Sequence, residues 1–318
     1  MSKRIIFMGT TDFAAYVLAE LLKLKYNVIA LFSQPDRQKG RSKKIEPTPT
    51  KKIALEYGVD VYGFENVNEH YEMIASLKPD VIITCAFGQK INTLLLNLPN
   101  FGCINVHASI LPKYRGGAPI HYAIIKGEKY TGNTIMYMVE ELDSGAIISQ
   151  SKIKIAEDDT ASSLSIKLRE DASTLLLSTL PLLFNRDIRP VKQDETKASY
   201  APTIKRSLEL INFNRDINVV YNHIRGLLYT PGCYFVVNGK KVKLFKVEKV
   251  AIAHTKASSL IACDNNEYFK IYALNGYIKV FAFQFEGRKI TEYQTYVNQN
   301  KKDIITGNMV NEGAIYEY

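Results

Sequence analysis

Short apolar runs alternate with segments of helical periodicity through the first half of the chain. The periodic segments predict helices over 12–26, with Asp12 as a possible N-cap, and over 51–58, where the pattern ends at a glycine. The apolar runs predict buried strands RIIFMG (4–9), VIALFS (28–33), DVIITCA (80–86), FGCINVH (101–107) and NTIMYMV (133–139). Because strands that alternate with helices are typical of parallel sheets, we expect a Rossmann-like α/β domain with a mostly parallel sheet.

The pattern changes near residue 190. Residues 189–204 are polar, contain prolines and lack periodicity, as expected of a linker. After a predicted helix over 217–228, three alternating runs follow, separated by Asn-Gly or Asn-Asn turns: 233–250, 258–274 and 277–287. These hairpin signals favour a small C-terminal β-barrel of OB-like type. We therefore predict a first domain over 1–189, a linker over 190–207 and a second domain over 208–318.

Composition places the chain among globular proteins and adds a mild basic bias. The 318 residues carry a formal charge of +9, and residues 203–318 hold 16 Lys and Arg against 10 Asp and Glu. The excess makes a polyanionic partner plausible without proving one. Four scattered cysteines without a C-x-x-C pair favour reduced thiols. Because a predicted strand starts at residue 4, we expect no targeting peptide. No apolar run approaches the length of a membrane span, so we expect a cytoplasmic protein.

Asn105 and His107 form the sharpest chemical feature of the sequence. They end the predicted strand 101–107, and their two-residue spacing places both on one side of it, opposite Ile104 and Val106. Ligands of open parallel sheets bind beyond the carboxyl ends of the strands. Such a pair can also do no more than satisfy backbone groups at a sheet edge. The stiff Ser-Ile-Leu-Pro segment and the KYRGGAP turn that follow favour a binding site instead.

Asp143 offers a third polar group, because it follows another strand within EELDSGAII. Alone, an aspartate before Ser-Gly is typical of a turn. With Asn105 and His107 it completes a set suited to acyl transfer without a covalent intermediate. An amide and an imidazolium can stabilise the oxyanion that forms when an amine attacks a carbonyl, and a carboxylate can orient the imidazole and help move a proton.

Other chemistries are weaker on the residues present. Cys103 shares the strand face of Asn105, so a Cys-His nucleophile is conceivable, although a strand cysteine is more often a small buried apolar residue. His107 and His121 have no metal-ligand spacing, so we expect no metal. The first βα turn has only Gly9 where a dinucleotide fingerprint needs three glycines, which argues against NAD or FAD.

A basic segment follows the second strand. From Arg37 to Lys52 the chain carries seven basic residues against Glu46 alone, and its prolines exclude a continuous helix. The pattern predicts a long exposed loop at the ligand-binding edge of the sheet. Long basic loops are usually solvated surface, but this position also suits contact with a phosphate backbone.

Several of these motifs together resemble the methionyl-tRNA formyltransferase family. They are IIFMGTTDFA, FSQPDRQKGRSKK, GCINVHASILPKYRGGAPIHYAII, TGNTIMYMVEELDSGAIISQ and FQFEGRKIT, which run along essentially the whole chain. The Asn-x-His and Leu-Asp-x-Gly pieces are shared by the wider 10-formyltetrahydrofolate-dependent transferases. The basic loop and the C-terminal barrel are the narrower markers.

The resemblance implies transfer of the formyl group of 10-formyltetrahydrofolate to the α-amine of initiator methionyl-tRNA. Separately from the resemblance, we expect no metal, no membrane partner and a monomer. The resemblance implies that Asn105 and His107 contact the formyl oxygen and that Asp143 holds His107 and aids proton removal. The implied folate-binding residues are Ser109, Ile110, Leu111, Pro112, Phe87, Gly88, Gln89 and Leu142. The implied tRNA contacts are Arg37, Lys39, Arg41, Lys43 and Lys44. It also assigns catalysis to 1–189 and tRNA binding to 208–318.

Two other readings stay open. A sugar-nucleotide amine formyltransferase would use the same Asn-His-Asp site but would not need the basic loop. An RNA-binding protein on a degenerate transferase scaffold would need no intact site at all.

Overall fold

The chain folds into two compact units. The structure, a computed structural model, describes residues 2–39, 44–299, 301–314 and 316. The first unit comprises Met1–Pro119, Tyr130–Lys154 and Ser165–Pro202, and the second comprises Ile120–Lys129, Ile155–Leu164 and Thr203–Tyr318. Two segments ahead of residue 190 therefore belong to the second unit, and the hydrophobic pattern does not signal them. Within the described ranges, every helix is too short or too polar to cross a bilayer.

The first unit is built on a seven-stranded sheet, to which short strands and helices are added. The strands of this unit are β1 (Ile5–Gly9), β2 (Val28–Ser33), β3 (Arg37–Lys39), β4 (Lys44–Glu46), β5 (Asp60–Gly63), β6 (Val81–Cys85), β7 (Cys103–His107), β8 (Tyr130–Thr131), β9 (Thr134–Tyr137), β10 (Ile147–Gln150) and β11 (Ile153–Lys154). The helices up to residue 185 are α1 (Asp12–Lys23), α2 (Pro49–Glu56), α3 (Tyr71–Ser76), α4 (Thr93–Leu96), α5 (Pro119–Ile125) and α6 (Ala161–Asn185). The large sheet has the order β10-β9-β7-β6-β1-β2-β5. Its parallel pairs are β7–β6, β6–β1, β1–β2 and β2–β5. The antiparallel pairs β7–β9 and β9–β10 complete it.

Both faces of this sheet are buried, as the continuous apolar strands predict. Ile5 and Phe7 of β1 pack with residues of α1 and α6, whereas Ile6 and Met8 pack into a separate cluster with residues of α3 and α4. The alternation follows from the two-residue repeat of a strand. With both faces covered, the carboxyl edge of the sheet is the place left for a ligand.

The predicted strands and helices of this unit are found with small shifts at their ends. Helix α1 starts at Asp12, but its N-cap is Thr11, whose Oγ1 accepts a hydrogen bond from Ala14 N at 3.4 Å. The segment predicted as a long loop contains a short antiparallel hairpin instead, because β3 pairs with β4. Its last proline, Pro49, begins α2, two residues before the predicted start of that helix, since proline fits the first turn.

The second unit contains an antiparallel sheet, as predicted. Its elements are α7 (Ile217–Leu227), α8 (Tyr293–Asn298), β12 (Tyr234–Val237), β13 (Lys240–Ala251), β14 (Ile261–Ala262), β15 (Phe269–Ala273), β16 (Gly276–Phe285) and β17 (Thr291–Glu292). The strand order is β12-β13-β16-β15-β14, and β17 pairs with β16. Phe213, Phe235, Phe269 and Phe283 are fully buried in its core. The predicted fold class, a mostly parallel α/β part followed by an antiparallel part, is confirmed.

Acidification is expected to destabilise the second unit through His223. This buried side chain of α7 bonds the Leu208 carbonyl through Nε2 at 2.6 Å, and burial lowers its pKa to about 4. Because the unfolded chain takes up the proton near pH 6.5 and the folded chain does not, stability is full above that pH and falls as the pH drops towards 4. Between pH 7 and pH 5 the loss should be about 2 kcal/mol in the free energy of unfolding.

Urea unfolding followed by far-ultraviolet circular dichroism measures this loss, since the chain has no tryptophan. The matched control is His223→Gln, whose amide can still donate to the Leu208 carbonyl but does not titrate. An equal loss in wild type and control would assign the acid sensitivity to other groups.

Candidate active site

Asn105 and His107 lie at the carboxyl end of β7, between parallel β6 and antiparallel β9. They share a face of the strand with Cys103, whereas Ile104 and Val106 pack into the opposite core. His107 is only 6% exposed and Asn105 is half-buried. The sequence-derived prediction that both point to one side of the strand agrees with this arrangement.

The amide of Asn105 is oriented by a neighbouring strand. Thr84 of β6 is paired with Asn105 in the sheet register, and its Oγ1 lies 2.8 Å from Asn105 Oδ1. Since the hydroxyl donates to Oδ1, the Nδ2 group of Asn105 faces the other way. Nδ2 lies 3.5 Å from Asp143 Oδ1, the outer limit of a hydrogen bond. Asn105 thus presents a donor towards the carboxylate and the open edge.

The imidazole of His107 is held through its far nitrogen. Nε2 lies 3.0 Å from the Tyr114 carbonyl oxygen. A carbonyl only accepts, so Nε2 carries a proton when this hydrogen bond forms. The remaining nitrogen, Nδ1, lies 3.6 Å from Asp143 Oδ2. Nδ1 is therefore the atom at which His107 can exchange a proton with the carboxylate or with a substrate.

Asp143 joins these two side chains from a separate segment of the chain. Its carboxylate is 12% exposed, and Oδ2 accepts a hydrogen bond from the Gly116 N–H at 2.7 Å. Its φ of +49° lies in the left-handed region, which non-glycine residues seldom adopt. Residues held in this region often mark functional sites.

Two glycines let the backbone approach closely at this site. A Cβ at Gly145 would collide with the Tyr137 carbonyl oxygen of β9, so glycine allows the Asp143 turn to lie against that strand. Gly116 has a φ of +114°, and a Cβ there would lie 2.9 Å from the Ala201 carbonyl oxygen. Glycine at 116 thus serves close packing of the chain that delivers the N–H to Asp143.

The geometry argues against Cys103 as a nucleophile. Cys103 is buried, its Sγ contacts the Leu95 carbonyl at 3.4 Å, and burial raises the pKa of its thiol to about 12. A nucleophile at neutral pH needs the opposite shift. Within the described ranges, no group of three or more His, Cys, Asp and Glu side chains is arranged to hold a metal ion.

The Ser109–Pro112 segment forms a rigid wall beside β7. Ser109 is fully buried and its hydroxyl donates to the Lys113 carbonyl at 2.6 Å. Leu111 is buried too, and its N–H donates to Thr134 Oγ1 at 3.2 Å. Ile110 and Pro112 are half-buried. The side chains of Ile110 and Pro112, rather than those of Ser109 and Leu111, are the ones that a ligand can reach.

The loop after β6 presents backbone rather than side-chain groups. Phe87 is buried, and Gly88 is exposed with a φ of +84°. Both ends of the Gln89 amide are used by the protein: Nε2 donates to the Phe64 carbonyl at 2.6 Å, and Oε1 accepts from Val67 N at 2.7 Å. Gln89 therefore fixes this loop against the chain after β5.

Leu142, beside Asp143, is different from these buried side chains. It is 62% exposed, whereas the carboxylate of the neighbouring Asp143 is 12% exposed. An exposed apolar side chain at this position is available to cover part of a flat ligand.

The basic hairpin is fixed at its base. Asp36 Oδ2 pairs with Lys51 Nζ at 2.6 Å, and its Oδ1 accepts from Thr48 N at 3.3 Å. Arg37 is exposed and only loosely paired with Glu65, at 3.5 Å. The main chain of Lys39 and Lys44 lies in β3 and β4, whereas Arg41 and Lys43 lie outside the described residues.

Two residues that hold the site were not selected from the sequence. Thr84 orients Asn105, and its signal is a hydroxyl within the otherwise apolar strand VIITC. Tyr114 acts through its carbonyl oxygen, which no residue-type pattern reveals. Main-chain contacts of this kind depend on the path of the chain in space.

Together, Asn105, His107 and Asp143 form a compact set of one amide donor, one imidazole and one carboxylate. An amide donor and a protonated imidazole can stabilise an oxyanion, and the carboxylate can take up a proton beside them. Asp143 lies 36 residues after His107 in the sequence, and the fold brings it beside His107 and Asn105. This set suits attack of an amine on an activated carbonyl.

Comparison with known proteins finds two matching family models and several similar relatives. Residues 3–180 match the model of the formyl transferase family, and residues 203–301 match that of the formyl transferase C-terminal domain. The methionyl-tRNA formyltransferase of Bacillus velezensis is 48% identical over 257 residues, 80% of this chain and 81% of the relative. That of Bacillus cereus strain AH187 is 41% identical over 306 residues, 95% of this chain and 98% of the relative.

Among solved structures, an N-formyltransferase from Helicobacter canadensis in complex with folinic acid and dTDP-3-aminofucose has a similar fold. The TM-score is 0.67 at 22% identity, covering 88% of this chain and 99% of that one.

Proposed function

This chain belongs to the methionyl-tRNA formyltransferase family, and we propose that Asn105, His107 and Asp143 carry the family's reaction, formyl transfer to initiator methionyl-tRNA. The observation that carries this assignment is the meeting of the three side chains at the carboxyl edge of the sheet. The proposed formyl donor is 10-formyltetrahydrofolate, and a folate in the related Helicobacter canadensis complex supports a folate here.

The proposed reaction is direct attack by the α-amine of methionine on the formyl carbon. Asn105 Nδ2 and the protonated Nδ1 of His107 donate to the oxygen as it becomes an oxyanion. Asp143 holds the imidazole and takes one proton from the ammonium, which leaves a neutral amine to attack the formyl carbon. The nitrogen of the tetrahedral intermediate then loses a second proton, and N10 of the folate takes up this proton as the C–N10 bond breaks, so that tetrahydrofolate and formyl-methionyl-tRNA leave.

The proposed folate site lies against the loop after β6 and the Ser109–Pro112 wall. Gly88 offers exposed backbone, and Ile110, Pro112 and Leu142 offer apolar side chains. Ser109, Leu111, Phe87 and Gln89 act in this proposal by fixing those segments, because their side chains are buried or already bonded.

The proposed tRNA contacts fall into two groups. The first is the basic hairpin with Arg37, Lys39, Arg41, Lys43 and Lys44. The second is on the second unit, where lysines stack on aromatic rings: Lys241 Nζ lies 3.6 Å from the Tyr234 ring centre, and Lys279 Nζ lies 4.7 Å from that of Tyr268. Basic and aromatic side chains interleaved on one sheet are typical of nucleic-acid surfaces.

We further propose that residues 1–189 bind folate and transfer the formyl group, that 190–207 connect, and that 208–318 bind tRNA. The proposed place of action is the cytoplasm, where tRNA is charged, and the proposed state is a monomer.

A mass-spectrometric assay for formyl-methionine on a mixture of charged tRNAs, supplied with 10-formyltetrahydrofolate, tests the function. Formylation confined to initiator methionyl-tRNA is the expected result. A parallel reaction with dTDP-3-aminofucose tests the sugar formyltransferase alternative. Formylation of the sugar without formylation of tRNA would overturn the proposal, and no formylation of either would favour an RNA-binding protein without catalysis.

Removing the positive charges of the hairpin is expected to weaken tRNA binding and to leave the formyl-transfer step unchanged. In the triple variant Arg37→Gln, Lys39→Gln, Arg41→Gln, kcat/KM for methionyl-tRNA should fall and its salt dependence should flatten. The log–log slope should become shallower by about one unit for each phosphate group that the variant no longer neutralises. Steady-state rates from about 50 to about 200 mM salt measure both effects.

The matched control for this variant removes three charges from the opposite edge of the sheet: Lys23→Gln, Lys25→Gln, Lys78→Gln. These exposed lysines precede β2 and β6 in the chain. If both triple variants behave alike, the hairpin has no special part in binding tRNA.

A further inference from the structure

The backbone of Asp143 has a φ of +49°, and its carboxylate must stay aligned with His107, so other contacts must hold the turn that carries it. The support comes from residues 193–201, here called the strap, which lie within the segment predicted as a linker. We propose that Gln193 of the strap, fixed by Arg115, is the positioning residue that sets the catalytic orientation of Asp143. This inference rests on the proposed function.

Gln193 clamps the turn that carries Asp143. Its Nε2 donates to two carbonyl oxygens, those of Asp143 and of Gly145, both at 2.8 Å. The side chain is 4% exposed, so water does not replace these bonds. A primary amide has two N–H groups, and both are used on this one turn. The two bonded carbonyls belong to Asp143 and Gly145, the residues before and after Ser144. Holding both of them fixes the φ and ψ angles of the turn.

Arg115 determines which way the Gln193 amide points. Its Nε and Nη2 donate to Gln193 Oε1 at 3.1 and 2.8 Å. Arginine has only donors, so the amide oxygen must face it and the NH2 group must face the Asp143 turn. Arg115 is itself 2% exposed and forms a two-point pair with Glu195, at 2.8 Å for each contact. Hydrogen bonds to Glu195 and Tyr200 raise the pKa of the guanidinium, so it stays charged.

The strap also holds the chain that delivers the two main-chain contacts of the site. Ser199 Oγ accepts from Tyr114 N at 3.0 Å, and its carbonyl accepts from Arg115 N at 2.8 Å. Ala201 N in turn donates to the Arg115 carbonyl at 2.7 Å. Tyr114 and Gly116, on either side of Arg115, supply the carbonyl that bonds His107 and the N–H that bonds Asp143. One segment therefore sets the orientation of both groups.

Gln193 offers no atom to the reaction itself, since it is buried and its amide contacts the Asp143 and Gly145 carbonyls, Arg115 and Met136 Sδ. Its effect must pass through Asp143. Misplacing a catalytic group by about 1 Å can slow a reaction about a hundredfold. We therefore expect loss of the clamp to lower kcat and to leave substrate binding nearly intact.

A double-mutant cycle, measured on formylation of methionyl-tRNA, tests whether Gln193 acts through Asp143. Gln193→Met keeps the length of the side chain and removes its hydrogen bonds, and kcat should fall about ten- to a hundredfold with both KM values within about twofold. In the Asp143→Ala background, Gln193→Met should lower the single-turnover rate no further, because the group that it positions is gone. Effects that multiply in the double variant would overturn the proposal, and so would an unchanged kcat in Gln193→Met.

Two further variants separate positioning from folding. Lys197→Met places the same side chain on the exposed part of the strap and should keep kcat within about twofold. Gln193→Glu keeps the pairing with Arg115 but faces the two carbonyls with an oxygen, so it should lose activity like Gln193→Met even if the latter unfolds. Melting curves for each variant identify a loss that is merely structural. Full activity of Asp143→Ala alone would instead overturn the proposed function, so the two failures are distinguishable.

Discussion

Alanine in place of His107 is expected to lower kcat for formylation of methionyl-tRNA about a thousandfold, or roughly 4 kcal/mol in activation free energy. In the proposed mechanism the variant loses the Nδ1 donor that faces Asp143 and the developing oxyanion. It keeps the walls of the proposed folate site, since His107 Nε2 bonds the Tyr114 carbonyl. The KM for 10-formyltetrahydrofolate should therefore stay within about threefold. Single-turnover rates at saturating folate, with a folate-binding titration, measure the two effects separately.

The control for this prediction is Cys103→Ala, on the same strand face. Its thiol is buried and bonded to a carbonyl, so the rate of formyl transfer should change little. A loss in Cys103→Ala comparable to that in His107→Ala would point to a covalent formyl-cysteine instead. A formyl adduct on the protein, sought by intact mass measurement, would settle the same question.

Replacing Asn105 with alanine is expected to be the second most damaging change, with a loss in kcat of about a hundred- to a thousandfold. The amide is the donor that Thr84 turns towards Asp143, and in the proposed mechanism its loss leaves the oxyanion with one donor fewer. Asn105→Asp should be at least as inactive, because it sets a carboxylate beside Asp143. Rates at saturating concentrations of both substrates measure this loss. An increase in KM with kcat unchanged would show that Asn105 binds the substrate equally before and during the reaction.

Thr84→Val tests the orientation of Asn105 without removing it. Valine has the shape of threonine but lacks the hydroxyl, so the amide of Asn105 loses the partner of its Oδ1. The expected loss in kcat is about three- to tenfold, the range of one hydrogen bond. A variant as inactive as Asn105→Ala would mean that Thr84 itself takes part in the reaction.

Much of the fold follows from local pattern. The continuous apolar runs of β1, β2 and β6 predict strands buried on both faces, and the alternating runs after residue 233 predict an antiparallel sheet. Such patterns involve only residues that are close in the sequence, so they predict strands without knowledge of the tertiary structure. The hairpin of β3 and β4 was missed because its strands are short and carry no apolar alternation.

The amino-acid sequence alone is enough to establish the chemistry available to this protein: an amide, an imidazole and a carboxylate placed where strands end, with a basic segment nearby. It also determined that Asn105 and His107 share one side of a strand, because side chains in a strand repeat every two residues. The tertiary structure alone decided how these groups are oriented. The Tyr114 carbonyl sets the tautomer of His107, the Gly116 N–H aligns Asp143, and Gln193 and Arg115 hold the turn. These are contacts between segments far apart in the chain and made largely by main-chain atoms. Every residue has such atoms, so only the path of the chain through space selects the ones that act.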